Sequence, residues 1–249
     1  MPTDLSPAAR IRGHLARVTA LRAQADAAGD ATTVQHLKRR QAERFRVTYA
    51  DLLRAPRTAP AVRFFLEELY GARDFADRDA QFGRIAGAIE TMFPAAVSQL
   101  AVDLAELHAL TETLDASLAR AWLAVEPSSG EGERYVRAWR RLCAEDDRRR
   151  QLAVVQALGR ELERLTRSKS LRLALRMMRQ PARAAGLDAL QQFLEVGFDA
   201  FAALGDAGPF LRAIQERESQ WLAWLDRAPE ADVAERLDRA WHEALHAPR

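Results

Sequence analysis

Cysteine is almost missing from this 249-residue sequence. Cys143 is its only thiol, which excludes an intrachain disulfide and suits a reducing compartment. Long apolar runs are missing too. No uncharged apolar stretch reaches the ~18 residues of a membrane-crossing helix. The opening stretch, MPTDLSPAARIRGHLARV, has no apolar core of the kind a secretory leader carries, so a cytoplasmic location is the expectation. Lysine is scarce: of 37 basic residues only Lys38 and Lys169 are lysine. Arginine supplies nearly every positive charge, as a GC-rich coding sequence would dictate, so one arginine says little by itself. Neither G-x-x-x-x-G-K-[ST] nor G-x-G-x-x-G occurs, so the phosphate-cradling loops of two nucleotide-binding classes are absent. No alternating strand pattern and no internal repeat is evident.

Helical period, by contrast, is everywhere. Ser6 and Pro7 form a helix start, and Ile11, Leu15, Val18 and Ala25 share one face of that helix. A second helix carries Val34, Leu37, Phe45 and Leu52. A third begins near Pro60, with Val62, Phe65, Leu66 and Leu69 at helical spacing. Another runs from Asp74 to about Phe93, and Pro94 opens a long one in which Leu100, Leu104, Leu107, Thr111, Leu114 and Leu118 make a seam. The loop EPSSGEG, 126–132, comes next. Helices are expected near 133–143, 146–167, 169–180, 182–203, 209–225 and 230–246, broken at Pro181, GDAGP and Pro229. The expected fold is all-α, an antiparallel bundle of about eight to ten helices. It reads as one domain, 1–249, with a sub-boundary at 126–132 that would separate two packed helical halves, 1–125 and 133–249.

The near-neutral total charge of +2 hides four blocks of alternating sign. Residues 1–60 carry net +6, 61–133 net −8, 134–183 net +10 and 184–249 net −6. Short loops between antiparallel helices would bring these blocks side by side, so much of the basic surface is expected to meet the chain's own acids.

The most specified stretch is FFLEELYGARDFADRD, 64–79. Its plain reading is a helix stop and start: Gly71 ends one helix, Asp74 caps the next, and Asp77 and Asp79 favour the positive end of the dipole. Its functional reading is an anion-binding corner built from Tyr70, Arg73 and Arg78. This block resembles a signature of a family of uncharacterised all-helical bacterial proteins. So do TYADLL at 48–53, ELHALTETLD at 106–115 and MRQPARAAGLDALQQFLEVGFDAF at 178–201. The resemblance implies a helical fold and carries over no catalytic role.

Candidate chemistry is sparse. HEALH, residues 242–246, matches the H-E-x-x-H zinc motif, with His242 and His246 on one helix face. Such short matches arise often by chance, and no strand is present to align a peptide. His108 and Glu112 share a face at i, i+4 with Asp115 close by, half of a metal site, or a histidine hydrogen-bonded beside a leucine seam. Cys143 lies between arginines and acids and reads as inert. Lys169, Arg172, Arg176, Arg179 and Arg183 would form one basic stripe on a helix continuing past Pro181, suited to a polyanion or an anionic membrane surface. The plainer reading is a solvated or internally paired face. Ala182, Gly186, Ala189, Gly197 and Ala200 are expected on one helix face. They would let a neighbouring helix approach closely, or would floor an apolar pocket walled by Phe193 and Phe198. No cofactor is expected. The reading is a non-catalytic, regulatory protein that binds another protein or itself, with nucleic acid or an anionic membrane as lesser partners. The alternative is a helical-bundle enzyme or small-ligand or metal-binding protein, with its site at His108 and Glu112 or on the Gly186 and Gly197 face.

Overall fold

The computed structural model describes residues 5–69, 75–127 and 130–246. Among these residues every regular element is helical, so the fold is all-α. Helix α1 (Pro7–Ala28) starts as its sequence dictates: Pro7 occupies the first turn and the Ser6 hydroxyl accepts a hydrogen bond from the Ala9 amide. Gly29, at φ 76°, closes it in the left-handed conformation. The single helix expected next is divided. α2 (Ala31–Thr48) and α3 (Ala50–Arg54) meet at Tyr49, whose ring turns into the core. α4 (Ala59–Phe64) opens into a widened π-helical turn, Phe65–Leu69. α5 (Ala76–Met92), the long α6 (Ala95–Leu123), α7 (Glu131–Leu142) and α8 (Glu145–Thr166) agree closely with the sequence reading. The proposed helix stop at Gly71 and cap at Asp74 lie outside the described residues.

The next stretch differs from expectation. α9 (Lys169–Met177), α10 (Arg179–Ala184) and α11 (Asp188–Leu204) break at Met178 and at Gly186, not at Pro181. Pro181 sits in the first turn of α10, where amides have no intrahelical acceptor to lose. Gly186 takes φ 63° and forms the turn itself. α12 (Gly208–Arg227) and α13 (Glu230–His246) complete the described chain.

Two apolar clusters form the core. One gathers α1, α4, α5, the first half of α6, α8, α11 and the start of α12 around Phe64, Phe65, Phe193, Phe201 and Phe210. The other gathers α2, the end of α6, α7, the end of α12 and α13 around Trp122, Tyr135, Trp139, Trp221 and Trp241. Both draw residues from either side of the 126–132 loop. α6 threads them: Val102, Ala105 and Leu107 belong to the first, Leu118, Ala119 and Trp122 to the second. The stripe expected on α6 is used, with Leu107, Thr111, Leu114 and Leu118 all buried. α7 lies unusually close to α13. A Cβ at Gly132 would stand 2.5 Å from the Ala234 carbonyl oxygen.

Candidate functional site

Where α6 passes between the two apolar clusters its buried face becomes polar. His108, Thr111, Glu112 and Asp115 recur by three and four, so they point the same way. Each finds a partner on a neighbouring helix. Lys38 of α2 donates to Glu112 Oε1 at 2.6 Å and lies 3.8 Å from Asp115 Oδ2. Gln41, one turn later, donates to Asp115 Oδ1 at 2.9 Å. Gln151 of α8 donates to the Thr111 hydroxyl at 2.8 Å. Arg22 of α1 reaches Glu112 at 3.4 Å and Asp79 at 3.1 Å. His108 Nε2 meets Asp79 Oδ2 at 2.8 Å, and Arg78 pairs with the other Asp79 oxygen at 3.3 Å. Arg78 also donates to the Glu68 carbonyl at 2.8 Å and lies over the ring of Phe75.

This band is electrically matched: three carboxylates face Lys38, Arg22 and Arg78. Burial pushes Asp79 upward, but the His108 hydrogen bond with Arg78 and Arg22 holds it below its ordinary value. Burial likewise acts on Glu112 and is outweighed by Lys38, His108 and Arg22. Asp115 goes the other way: burial raises it, Glu112 adds to the rise, and Lys38 and Gln41 only partly oppose. The consequence for stability has two signs. Asp79 and Glu112 contribute stability that is complete above their ordinary values, 3.8 and 4.5, and lost as pH falls through their lower folded values. Asp115 is a cost at neutral pH that lessens on acidification. Two groups against one predict a Tm that falls below about pH 4.5. Thermal melts between pH 6 and 3 check this, and Asp79→Asn is expected to flatten the acid limb. An acid limb no shallower in Asp79→Asn would count against the assignment.

The candidates read from the sequence meet different fates. His108 and Glu112 do share a face, but His108 Nε2 is engaged by Asp79 and Glu112 Oε1 by Lys38 and Arg22. Among the described residues no three His, Cys, Asp or Glu side chains are arranged to hold a metal ion. His242 and His246 meet edge to face, ring centroids 4.6 Å apart, on the exposed end of α13. Tyr70 and Arg73 lie outside the described residues, and Arg78 of the same corner is half-buried at the edge of the band. The basic stripe is split by the break at Met178. Arg179 pairs with Glu195 at 2.7 Å and Arg183 lies 3.5 Å from Asp188, whereas Lys169, Arg172 and Arg176 have no ion pair among the described residues. Arg172 rests over the ring of Phe198, 5.4 Å from its centroid. The small residues do not share one helix face, because Gly186 is in the turn. Gly197 lies on α11 against Phe64, where a Cβ would stand 2.8 Å from Cζ, and Phe193 tilts onto the same ring at 5.3 Å. Close packing is the use made of Gly197.

Sequence reasoning missed a second polar group, deeper along α2 and α8. Arg44 grips Glu218 of α12 with two bonds, 3.1 and 2.8 Å, and the Tyr49 hydroxyl donates to the same carboxylate at 2.7 Å. Arg148 of α8 is buried with its Cζ 3.3 Å from the centre of the Trp139 ring. A signal for it existed. Arg148 falls at helical spacing with Leu152, Val155 and Gly159, on the buried face of α8. Lys38 gives the same signal on the face of Val34 and Phe45. A charged residue on an apolar stripe, more than any stretch of exposed charge, marks the interior of this protein.

These features define an all-α protein whose two apolar clusters are divided by a buried, largely self-neutralised polar band. The chain belongs to the family described as domain of unknown function (DUF8198), whose model matches residues 20–231. No curated protein and no solved structure matches it. No helix among the described residues is long and apolar enough to cross a membrane.

Proposed function

We propose that this is a non-catalytic, cytoplasmic protein that acts in regulation by binding another protein through α9. The observation that carries the reading is the surface of that helix. α9 buries none of its residues, and Leu173 and Met177, one turn apart, are 59% and 69% exposed. Met178, just beyond, is 44% exposed. Apolar side chains so placed mark an interaction face, and methionine adapts to irregular partners. Lys169, Arg172 and Arg176, which no acid among the described residues pairs, interleave with them. Elsewhere in the basic block several arginines meet acids of other helices: Arg150 pairs with Glu106 and Arg137 with Glu230. The mix of cations and exposed aliphatic groups suits an acidic, amphipathic segment of a protein partner. A polyanion would use the cations alone.

The test places a photo-crosslinking residue at 173 or, as a control, at 123 on the far end of α6, inside the native cell. A discrete protein adduct is expected from position 173 only, lost on Arg172→Glu with Arg176→Glu. Binding to duplex DNA, RNA and anionic vesicles is expected to be weak and gone near about 0.15 M salt. Tight, sequence-dependent nucleic-acid binding at that salt, or no position-specific adduct, overturns the proposal. A second reading, small-ligand binding, draws support from a cavity elsewhere in the fold.

A further inference from the structure

A cavity of about 80 Å3 opens where the two apolar clusters meet. Phe65, Val155 and Ile214 of the first cluster and Tyr135, Trp139 and Trp221 of the second face into it. Its polar wall consists of Arg44, Glu218, Arg148, Gln41 and Gln151. Their charges do not cancel. Arg44 is neutralised by its two bonds to Glu218. Arg148 is 6% exposed, no carboxylate among the described residues pairs with it, and its buried Nη2 has no hydrogen-bond partner. Among the described residues Nη2 is the only buried side-chain nitrogen or oxygen left in that state. The guanidinium is fixed from behind by the Trp139 ring, which is itself held by the indole's hydrogen bond to Asp226 at 2.7 Å.

We propose that this cavity is a binding site for a small organic monoanion, a short carboxylate with an apolar tail, whose carboxylate accepts from Arg148. Three observations choose the ligand class. The wall carries one uncompensated positive charge, so a monoanion completes it and a dianion overfills it. A guanidinium offers paired N–H donors that match a planar carboxylate. The remaining surface is aromatic and aliphatic, which suits an unbranched or ring-bearing hydrocarbon tail. One water needs about 10–15 Å3, so the cavity has room for roughly five to eight non-hydrogen atoms. Butyrate falls in that range. Burial draws Arg148 down to about 10, so it stays protonated at neutral pH, and Asp115 and Asp226 attract it only from a distance. Burial also pushes the Tyr135 hydroxyl up to about 12, leaving it neutral and able to donate to the same anion. The site is independent of the α9 surface.

A group left unpaired in the interior costs stability, so a residue kept there without a partner is expected to serve a ligand. The experiment is calorimetric titration of the full chain with butyrate, with butyramide as neutral isostere and inorganic phosphate as competing anion, alongside thermal melts. Saturable one-to-one binding of butyrate is expected, with a rise in Tm and no binding of butyramide or phosphate at the same concentrations. Arg148→Met is expected to melt higher than the wild-type protein and to bind butyrate roughly thirtyfold or more weakly. Ile214→Trp, which fills the cavity and keeps Arg148, is expected to lose binding as well. No saturable binding, equal binding of phosphate or butyramide, or undiminished binding in Arg148→Met would each overturn the proposal.

Discussion

Lys38→Met is expected to destabilise the protein by about 3–5 kcal/mol, because it leaves carboxylates buried without their cation. Lys38 is 8% exposed, and its ammonium is the closest positive charge to Glu112, at 2.6 Å, and lies 3.8 Å from Asp115. Methionine keeps the aliphatic stem and removes only the charge, so loss of packing contributes little. Arg22 remains near Glu112 at 3.4 Å and softens the loss, while Asp115 keeps the Gln41 amide and the more distant attraction of Arg148. Asp115 is already raised by burial, and losing Lys38, which opposes that rise, pushes it further the same way. The single and double variants separate the cost of the orphan from the worth of the pair. Lys38→Met with Glu112→Leu removes both charges, and Arg22 then keeps Asp79 at 3.1 Å. That double variant should recover to within about 1–2 kcal/mol of the wild-type protein. Urea denaturation monitored by circular dichroism measures both. A single variant within about 1 kcal/mol of wild type would mean that water enters the band and screens it.

The helical architecture was legible because it depends on period, and period survives in a single sequence. Helix starts at Pro7 and Pro94 and the seam along α6 all stand where spacing and cap chemistry put them. The break at Met178 was not legible. Proline reads as a helix breaker, yet Pro181 found a first turn in which its missing amide is harmless. The polar band was half visible: His108, Glu112 and Asp115 stand out together in the sequence, as half of a metal site or as a histidine hydrogen-bonded beside a seam, and the second reading is the one the His108–Asp79 contact matches. Their partners Arg22, Lys38 and Asp79 come from helices far away in sequence, and nothing local pairs them. The site at Arg148 was hidden by abundance. In a chain with 37 basic residues one more arginine draws no notice until its helix face is considered. The surface pairing of charge blocks was legible only as a trend, since block totals do not say which arginine meets which acid.

Phe65→Ala is expected to cost about 3–5 kcal/mol, as much as any substitution in the first apolar cluster. The residue belongs to the double phenylalanine that opens FFLEELYGARDFADRD, and the two rings serve different neighbours. Phe64 fills the space left by Gly197 and meets Phe193. Phe65, at the start of the π-helical turn, touches Phe201 at 6.1 Å and Phe210 at 6.0 Å between centroids. Those two rings stand on α11 and α12, joined through Gly205 at φ 72°, so neither helix can slide inward to refill a void without disturbing the other. Phe201 is 1% exposed and has no room to turn. The void would also not be isolated. Phe65 borders the cavity at Arg148, so its removal merges a new space with an existing one. Phe65→Leu keeps most of the volume and should cost about 1 kcal/mol. Two measurements check the argument. Chemical denaturation should rank Ala well below Leu. Benzene should raise the Tm of Phe65→Ala and leave the wild-type protein unmoved, because an apolar void of that size accepts it. If Phe65→Ala is as stable as Phe65→Leu, the turn has collapsed into the gap, and the rigidity assigned to the α11–α12 corner is wrong.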